Sequence, residues 1–359
     1  MHALSTLLPL FLSLASLASP ACDCSCTSSA VDASTVSSAV STSTSSAQAV
    51  ATGVNLAAGS SSDGLVGYAT LNGGTTGGEG GSETTVSDLD SLRNAVEGDD
   101  AAIIYIDGII EGDGETVKVG SNKSILPKNG GGSDGLTGGG FMIKEGKNVI
   151  IRGLSISKSP APTDLIAVQE STNVWIDQNT LSNDLDHDKD YYDGQVDLTH
   201  AADYISVTRN IFKDSYKTSL VGHSDSNEDE DTGHLRVTYF GNLFENCNSR
   251  LPSLRFGTGH VANNYYKDIL SSGINSRLGA EILVESNYFE SVKKPIETSL
   301  EDGYVVVNDD NVYVDSDEPD LSNVGTISAN DLGYSYSLDA GADVPAIVAA
   351  SAGAENYSA

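Results

Sequence analysis

The sequence is poor in positive charge, with 19 Lys and Arg residues against 50 Asp and Glu residues and a formal net charge of −31. Such a chain lacks the broad basic surface that binds nucleic acid or an anionic membrane, so neither partner is expected. More than half of its cations lie in residues 204–294, which hold 10 Lys or Arg against 11 Asp or Glu. An anionic ligand is therefore expected to bind in this quarter of the chain.

Several familiar functional patterns are also missing. The four cysteines, Cys22, Cys24, Cys26 and Cys247, match neither a disulfide framework nor the spacing of a zinc site. The histidines show no HExxH spacing, and the chain has no GxSxG, P-loop or dinucleotide-binding pattern. Beyond the N-terminal segment, no run approaches the roughly 20 apolar residues of a membrane span. These absences disfavour zinc hydrolases, nucleotide-binding enzymes and integral membrane proteins.

The N-terminal part of the chain predicts export. Residues 1–21 combine an apolar run with small residues before a plausible cleavage point, as in a secretory signal. Residues 22–62 are rich in Ser, Thr and Ala and too poor in large apolar groups to form a core, so we interpret them as a linker. Residues 63–359 form the folded domain, with N-glycosylation patterns at Asn122 and Asn356. The predicted product is a secreted, extracellular, monomeric protein.

A repeat dominates the rest of the sequence, while helical periodicity is nearly absent. Asparagine recurs before a pair of apolar or aromatic residues at intervals of 22 to 32 residues, at Asn179, Asn210, Asn242, Asn264 and Asn287. Each unit also carries a β-rich run, which is typical of a solenoid whose coils bury their faces on one another. We predict an all-β fold, a right-handed single-stranded parallel β-helix, covered by a tail from about residue 329. A β-sandwich is the alternative, but it does not explain the recurring asparagine.

Two arginines flank a proline in the stretch NSRLPSLRFGTGHVANNYY, which starts at residue 248. On a straight strand, residues five apart point to opposite faces. Proline fixes φ and bends the chain at Pro252, so Arg250 and Arg255 can face one cleft. The alternative is that both are surface ion-pair partners.

An acidic run before this region suggests a cation. Asp193 and Asp197 lie four residues apart, too far on a straight strand to share an ion, unless Gly194 lets Asp193 sit on a turn. Calcium takes 6 to 8 oxygen ligands, many of them carboxylates. The alternative is a solvated acidic loop, and we adopt that interpretation for the second acidic run, residues 225–231.

Taken together, these segments resemble the pectate lyase family, whose members are right-handed parallel β-helix enzymes that cut polygalacturonate. The matching strings are GYATLNGGTTGG, NVIIRGLSI, TDLIAVQESTNVWIDQ, DGQVDLTHAADYISVTRNIF, YKTSLVGHSDS, RLPSLRFGTGHVANNYY and EILVESNYFE. They lie in family order across residues 63–300, and the VWID, DGxxD and RxPxxR segments together are highly specific.

The resemblance implies a role for six residues. Arg250 would be the catalytic base, Lys217 and Arg255 would bind substrate carboxylates, and three aspartates, Asp164, Asp193 and Asp197, would be calcium ligands. Two departures from the family pattern stand out: Gln178 replaces a usual His, and Pro162 occupies a position where some members have a further calcium-binding Asp. The implied cofactor is Ca²⁺, and the implied partner is the polygalacturonate (pectin) of plant cell walls.

The implied chemistry is β-elimination, in which a proton is removed next to the galacturonate carboxylate. Arginine is normally protonated below about pH 12, so the implied base indicates an alkaline optimum. Three alternatives remain: a pectin lyase acting on methyl-esterified substrate without calcium, a non-catalytic polysaccharide-binding β-helix, and a polygalacturonase-type hydrolase with paired carboxylates.

Overall fold

Three parallel β-sheets run along the length of the domain in the computed structural model, which describes residues 64–298 and 302–358. The predicted signal (1–21), the linker (22–62) and Cys22, Cys24 and Cys26 lie outside the described residues. Every strand pairs in parallel with the equivalent strand of the next coil, as in β11 (Thr172–Asp177) and β14 (Asp203–Thr208). The parallel β-helix predicted from the sequence is confirmed.

The strands are distributed over the sheets as follows. The first sheet contains β1 (Ser82–Val86), β2 (Ala102–Ile106), β5 (Lys123–Pro127), β8 (Lys147–Arg152), β11, β14, β17 (Arg236–Phe240), β20 (Thr258–Ala262), β23 (Glu281–Glu285) and β26 (Tyr304–Val307). The second sheet contains β4 (Thr116–Val119), β7 (Gly140–Lys144), β10 (Ile166–Gln169), β13 (Val196–Thr199), β16 (Ser219–Val221), β19 (Ser253–Arg255), β22 (Ile274–Arg277) and β25 (Ile296–Glu297). The third sheet contains β3 (Ile109–Glu111), β6 (Gly135–Thr137), β9 (Ser155–Ser157), β12 (Thr180–Ser182), β15 (Ile211–Lys213), β18 (Leu243–Glu245), β21 (Tyr265–Ile269), β24 (Tyr288–Val292) and β27 (Val312–Val314).

The recurring asparagines form a ladder between the first and third sheets. The side-chain oxygen of Asn210 accepts hydrogen bonds from the backbone and side-chain nitrogens of Asn179 at 2.9 and 3.0 Å, and Asn242 does the same for Asn210. Asn264 and Asn287 continue the pattern, and Asn311 adds a sixth member. Because these amides are buried, each hydrogen bond satisfies a group that would otherwise destabilise the fold. The ladder explains why asparagine returns at each coil.

Apolar side chains fill the interior in the same coil-by-coil manner. Phe212, Phe244, Tyr266, Phe289 and Tyr313 stack with nearly parallel rings, and successive ring centroids lie 4.6 to 5.1 Å apart. That separation matches the strand spacing of about 4.8 Å, so equivalent residues of successive coils meet directly.

Short helices and the C-terminal tail cover the ends and sides of the solenoid. Helix α1 (Leu89–Val96) buries Leu92 and Val96 in the main core, and α2 (Glu228–Asp231) lies in the acidic run. Helix α3 (Val344–Ser351) packs on the outer side of the third sheet. Short 3₁₀ helices occur at Tyr68–Thr70, Ala329–Asp331, Gly341–Asp343 and Ala354–Asn356. The predicted covering tail is therefore confirmed for its described residues, and none of the helices among these residues has the length and hydropathy needed to span a bilayer.

Candidate active site on the second sheet

The predicted site residues all belong to four consecutive strands of the second sheet or to the segments directly before them. They are Asp164 before β10, Asp193 and Asp197 before and in β13, Lys217 before β16, and Arg250 and Arg255 before and in β19. Neighbouring strands lie about 4.8 Å apart, so residues from distant parts of the sequence share one surface. In the register of the sheet, Asp197 lies between Ala167 and Leu220.

Gly194 separates two of the carboxylates. Its N–H donates a hydrogen bond to Asp164 Oδ1 at 2.8 Å. A Cβ at position 194 would lie 2.3 Å from Asp197 Oδ1 and 2.9 Å from Asp164 Oδ1, so only glycine leaves the space between these carboxylates open. Asp193 lies in the irregular segment before β13 and outside the strand, but neither Asp193 nor Gly194 forms the turn that the sequence predicted. Glycine is needed here for space, since its φ lies outside the left-handed region.

Asp164, Asp193 and Asp197 form an aspartate cluster whose carboxylates repel one another when ionised. Burial raises the pKa of Asp164 well above its ordinary value, and repulsion from Asp197 and Asp193 raises it further. Burial also raises the pKa of Asp197, while the Arg250 guanidinium and the N–H of Leu220 oppose that rise. Leu220 donates to Asp197 Oδ1 at 3.1 Å. Ionised together, these carboxylates require a nearby cation.

Lys217 supplies one such cation from the next strand. Its Nζ lies 3.0 Å from Asp193 Oδ1 and 3.5 Å from Asp190 Oδ1, and 19% of its side chain is exposed. Within the described ranges, no three His, Cys, Asp or Glu side chains are arranged so that they could hold a metal ion as they stand. The aspartates therefore lie around Gly194, but their side chains are not arranged as a complete set of metal ligands.

Arg250 presents a guanidinium that has no hydrogen-bond or ion-pair partner among residues 64–298 and 302–358. Its backbone is left-handed, with φ of 64°, and its carbonyl accepts the Ser219 N–H at 2.8 Å, which ties it to β16. The side chain is partly exposed and acts electrostatically on Asp197. A cation held in position by its backbone, with its donors still available, is suited to meeting an anionic ligand.

Arg255 is held differently. Its Nε donates to Asp225 Oδ1 at 2.6 Å and an NH group donates to the Gly222 carbonyl at 2.8 Å, while Arg277 lies 3.7 Å from the same Asp225 oxygen. Asp225 is an exposed turn residue, as the interpretation of residues 225–231 as a solvated loop predicted, although it also pairs with arginine. The interpretation is wrong for Asp231, which is buried in α2 and accepts the Ala201 N–H at 2.8 Å. These contacts depend on the packing of separate coils, which the composition of the run does not reveal.

The two departures from the family pattern lie in different places. Gln178 accepts a hydrogen bond from Arg152 at 3.1 Å and donates to the Ser351 carbonyl at 3.0 Å, so it fastens the tail and does not contact the aspartate cluster. Pro162 is exposed in the segment that leads to Asp164. Only the second departure bears on the site.

Sequence reasoning missed three residues near the site: Asp190, which faces Lys217; Asp225, which binds Arg255; and Tyr191, whose carbonyl accepts the Ala161 N–H at 2.9 Å. The acidic runs that contain the aspartates were visible. Which members of a run pair with a cation is determined by neighbouring coils.

Comparison with known proteins identifies the fold and the family. The family model described as pectate lyase matches residues 42–357. Pectate lyase A of Aspergillus niger is 50% identical over 308 residues, which cover 86% of this chain and 93% of the relative. Pectate lyase A of Emericella nidulans is 47% identical over 292 residues, covering 81% of this chain and 86% of that protein.

Solved structures give the same result. A Bacillus pectate lyase in complex with trigalacturonate is 31% identical, with a TM-score of 0.72, and the match covers 81% of this chain and 99% of that one. Pectate lyase II of Xanthomonas campestris is 27% identical, with a TM-score of 0.69 and coverage of 82% and 99%. The chain described here therefore belongs to the pectate lyase family of polysaccharide lyases.

Proposed function

We propose that this protein is a secreted pectate lyase that cleaves α-1,4-polygalacturonate by calcium-dependent β-elimination and releases 4,5-unsaturated oligogalacturonides. The observation that carries the proposal is the meeting of three aspartates with Lys217 and Arg250 on one surface of the second sheet. The family assignment supports the reaction class. The trigalacturonate bound to the Bacillus relative supports the substrate class.

The donor chemistry of the cluster suits calcium. Asp164, Asp193 and Asp197 would hold the ion, since calcium prefers carboxylate oxygens and the space beside Gly194 is kept open between two of them. Bound there, calcium would bridge the protein to a substrate carboxylate and stabilise negative charge. A protein with a net charge of −31 needs such a bridge, because its substrate is a polyanion.

Lys217 and Arg255 bind the carboxylates of the substrate. Lys217 is held by Asp193 and Asp190 at the edge of the cluster, where its ammonium can bind a galacturonate carboxylate. Arg255 is oriented by Asp225 and Gly222, so its guanidinium is in position before substrate binds. Both stabilise charge that develops on the substrate in the transition state.

Arg250, in the neutral guanidine form that alkaline conditions favour, takes the proton from the carbon next to the carboxylate and becomes the guanidinium. The electron pair of that C–H bond forms a carbon–carbon double bond as the neighbouring C–O bond to the leaving sugar breaks. The departing oxygen acquires a proton from solvent, so no water is added across the bond. No other described side chain engages Arg250 through a hydrogen bond or ion pair, so its nitrogens remain accessible to the substrate.

Export rests on the N-terminal segment, residues 1–21, and fits an enzyme whose substrate is an extracellular polymer. We propose that the mature protein works as a monomer.

Assays with two substrates test the proposed function. We expect cleavage of polygalacturonate in calcium, a loss of at least about a hundredfold in EDTA, and slower cleavage of highly methyl-esterified pectin, because esterification removes the carboxylates that calcium, Lys217 and Arg255 would bind. Ultraviolet absorbance of the unsaturated product gives the rates. Cleavage of esterified pectin that is insensitive to EDTA would indicate a pectin lyase. Binding of either polymer without cleavage would indicate a polysaccharide-binding β-helix.

A further inference from the structure

An aromatic cluster borders the site on the segment between β12 and β13. The rings of His187 and Tyr191 stack with centroids 3.9 Å apart and planes 17° from parallel. Tyr192 stands nearly perpendicular to both rings, at 5.4 Å from His187 and 4.8 Å from Tyr191. Single exposed aromatic rings are common on protein surfaces, but an ordered stack beside a candidate active site calls for an explanation.

The three centroid distances fix where Tyr192 lies. If Tyr192 covered the outer face of Tyr191, its distance to His187 would approach the sum of the other two separations. The observed distance is much shorter, so Tyr192 lies beside the stack. The outer face of Tyr191 is thus not covered by either ring, and this residue is 46% exposed.

The stack is held firmly. Asp184 accepts hydrogen bonds from the Tyr192 hydroxyl at 2.8 Å and pairs with His187 Nδ1 at 2.6 Å, and Lys158 Nζ lies 3.4 Å from Asp184. The Tyr191 carbonyl accepts the Ala161 N–H at 2.9 Å, which joins the stack to the segment that leads into Asp164. Because the rings are fixed in advance, a ligand that stacks on Tyr191 loses little free energy in ordering them.

The position of the stack relates it to the cationic part of the site. Asp190 and Asp193, on either side of Tyr191 and Tyr192 in sequence, both face Lys217. These contacts bring the segment that carries Tyr191 beside Lys217, so one polymer chain is expected to reach both residues. The apolar C–H face of a pyranose complements an aromatic face, and the ring hydroxyls and carboxylate remain in water.

We propose that Tyr191, backed by His187, is a stacking platform for one galacturonate residue of the polymer, beyond the sugar that reacts. This inference rests on the proposed function for the identity of the sugar. The platform strengthens substrate binding and takes no part in bond breaking, and it gives the enzyme a preference for longer chains.

Kinetics of Tyr191→Ala and Tyr191→Phe test the platform. Tyr191→Ala removes the ring and is expected to raise KM for polygalacturonate about 3- to 10-fold with kcat unchanged. An increase of this size corresponds to the loss of one aromatic contact. Tyr191→Phe should behave as the wild type, since no hydrogen bond of the Tyr191 hydroxyl occurs among the described residues. Tyr304→Ala is the matched control, because Tyr304 is 41% exposed but lies on the first sheet. An unchanged KM, a fall in kcat, or an equal defect in Tyr191→Phe would each overturn the proposal.

A binding measurement separates this inference from the proposed function. Calorimetric titration of a saturated oligogalacturonate into the Arg250→Ala protein, with and without Tyr191→Ala, reports binding without turnover. Weaker binding in the double variant supports the platform even if the wild type proves not to be a lyase. Equal binding rejects the platform even if the wild type is an active lyase.

Discussion

Replacing Arg250 by alanine is expected to lower kcat on polygalacturonate about a thousandfold, because the variant lacks the group that takes the proton. KM should change much less, since Lys217, Arg255 and the aspartates remain. Folding should be preserved, because the Arg250 side chain has no hydrogen-bond or ion-pair partner in the described part of the chain. The melting temperature should stay within about 2 °C of the wild type. Steady-state kinetics by ultraviolet absorbance and thermal unfolding measure the two effects.

Arg93→Ala is the matched control for this experiment. Arg93 also has a partly exposed guanidinium, but it lies in α1 and pairs with Asp90 and Glu115, away from the second-sheet cluster. It should retain full activity. Arg250→Lys tests geometry, since a lysine keeps the charge but not the planar guanidinium, and it should remain strongly impaired. An Arg250→Ala protein with more than about a tenth of the wild-type kcat would show that another group takes the proton.

Replacing Asp197 by asparagine is expected to have opposite effects on stability and activity. The pKa of Asp197 is raised in the folded state, so the protonated form is favoured by folding. The contribution of Asp197 to the stability of the metal-free protein is therefore fully present below the ordinary pKa of an aspartate, about 3.9, and is lost as pH rises through the raised value. Asparagine carries no charge at any of these pH values and keeps an oxygen for the Leu220 N–H. The metal-free variant should be at least as stable as the wild type at alkaline pH.

Calcium reverses that order. It should raise the melting temperature of the wild type, because an ion that binds the folded state stabilises that state. The increase should grow with pH, because protons then compete less for the carboxylates. Asp197→Asn should lose most of this increase, together with at least about a hundredfold of activity. Asp309→Asn, which changes an exposed aspartate, should behave as the wild type. Equal calcium stabilisation of Asp197→Asn and the wild type would place the ion elsewhere.

The fold was predictable because the same two physical requirements repeat in successive coils. Each buried asparagine, such as Asn210 or Asn242, must bond to its equivalent one coil away, and each aromatic residue such as Phe244 packs on its equivalent. These requirements leave a periodic trace in the sequence even though the interval varies from 22 to 32 residues. No knowledge of long-range contacts was needed to detect it.

The candidate site was predictable only in part. The pair Asp193 and Asp197 was suggested by its own sequence, but Asp164 entered through family resemblance, because only the register of β10 on β13 brings it to Gly194. Lys217 was likewise found by resemblance. The roles of the six residues stay predictions.

The partners of the site residues were not predictable at all. Asp225 lies in a run of acidic residues and binds Arg255 from an adjacent coil, and nothing in the run distinguishes it from its neighbours. The same holds for Tyr191, whose stacking on His187 depends on how one irregular segment folds. Connections between strands carry no periodic signal, and their contacts emerge only when the coils are stacked.

We expect the site to eliminate and not to hydrolyse. Mass spectrometry can decide between the two reactions, applied to the products that the purified protein releases from a defined oligogalacturonate in calcium. Elimination predicts two products whose masses sum to that of the substrate, one of them carrying the unsaturated end. Products whose masses exceed that sum by one water, with no unsaturated end, would contradict elimination and indicate a hydrolase.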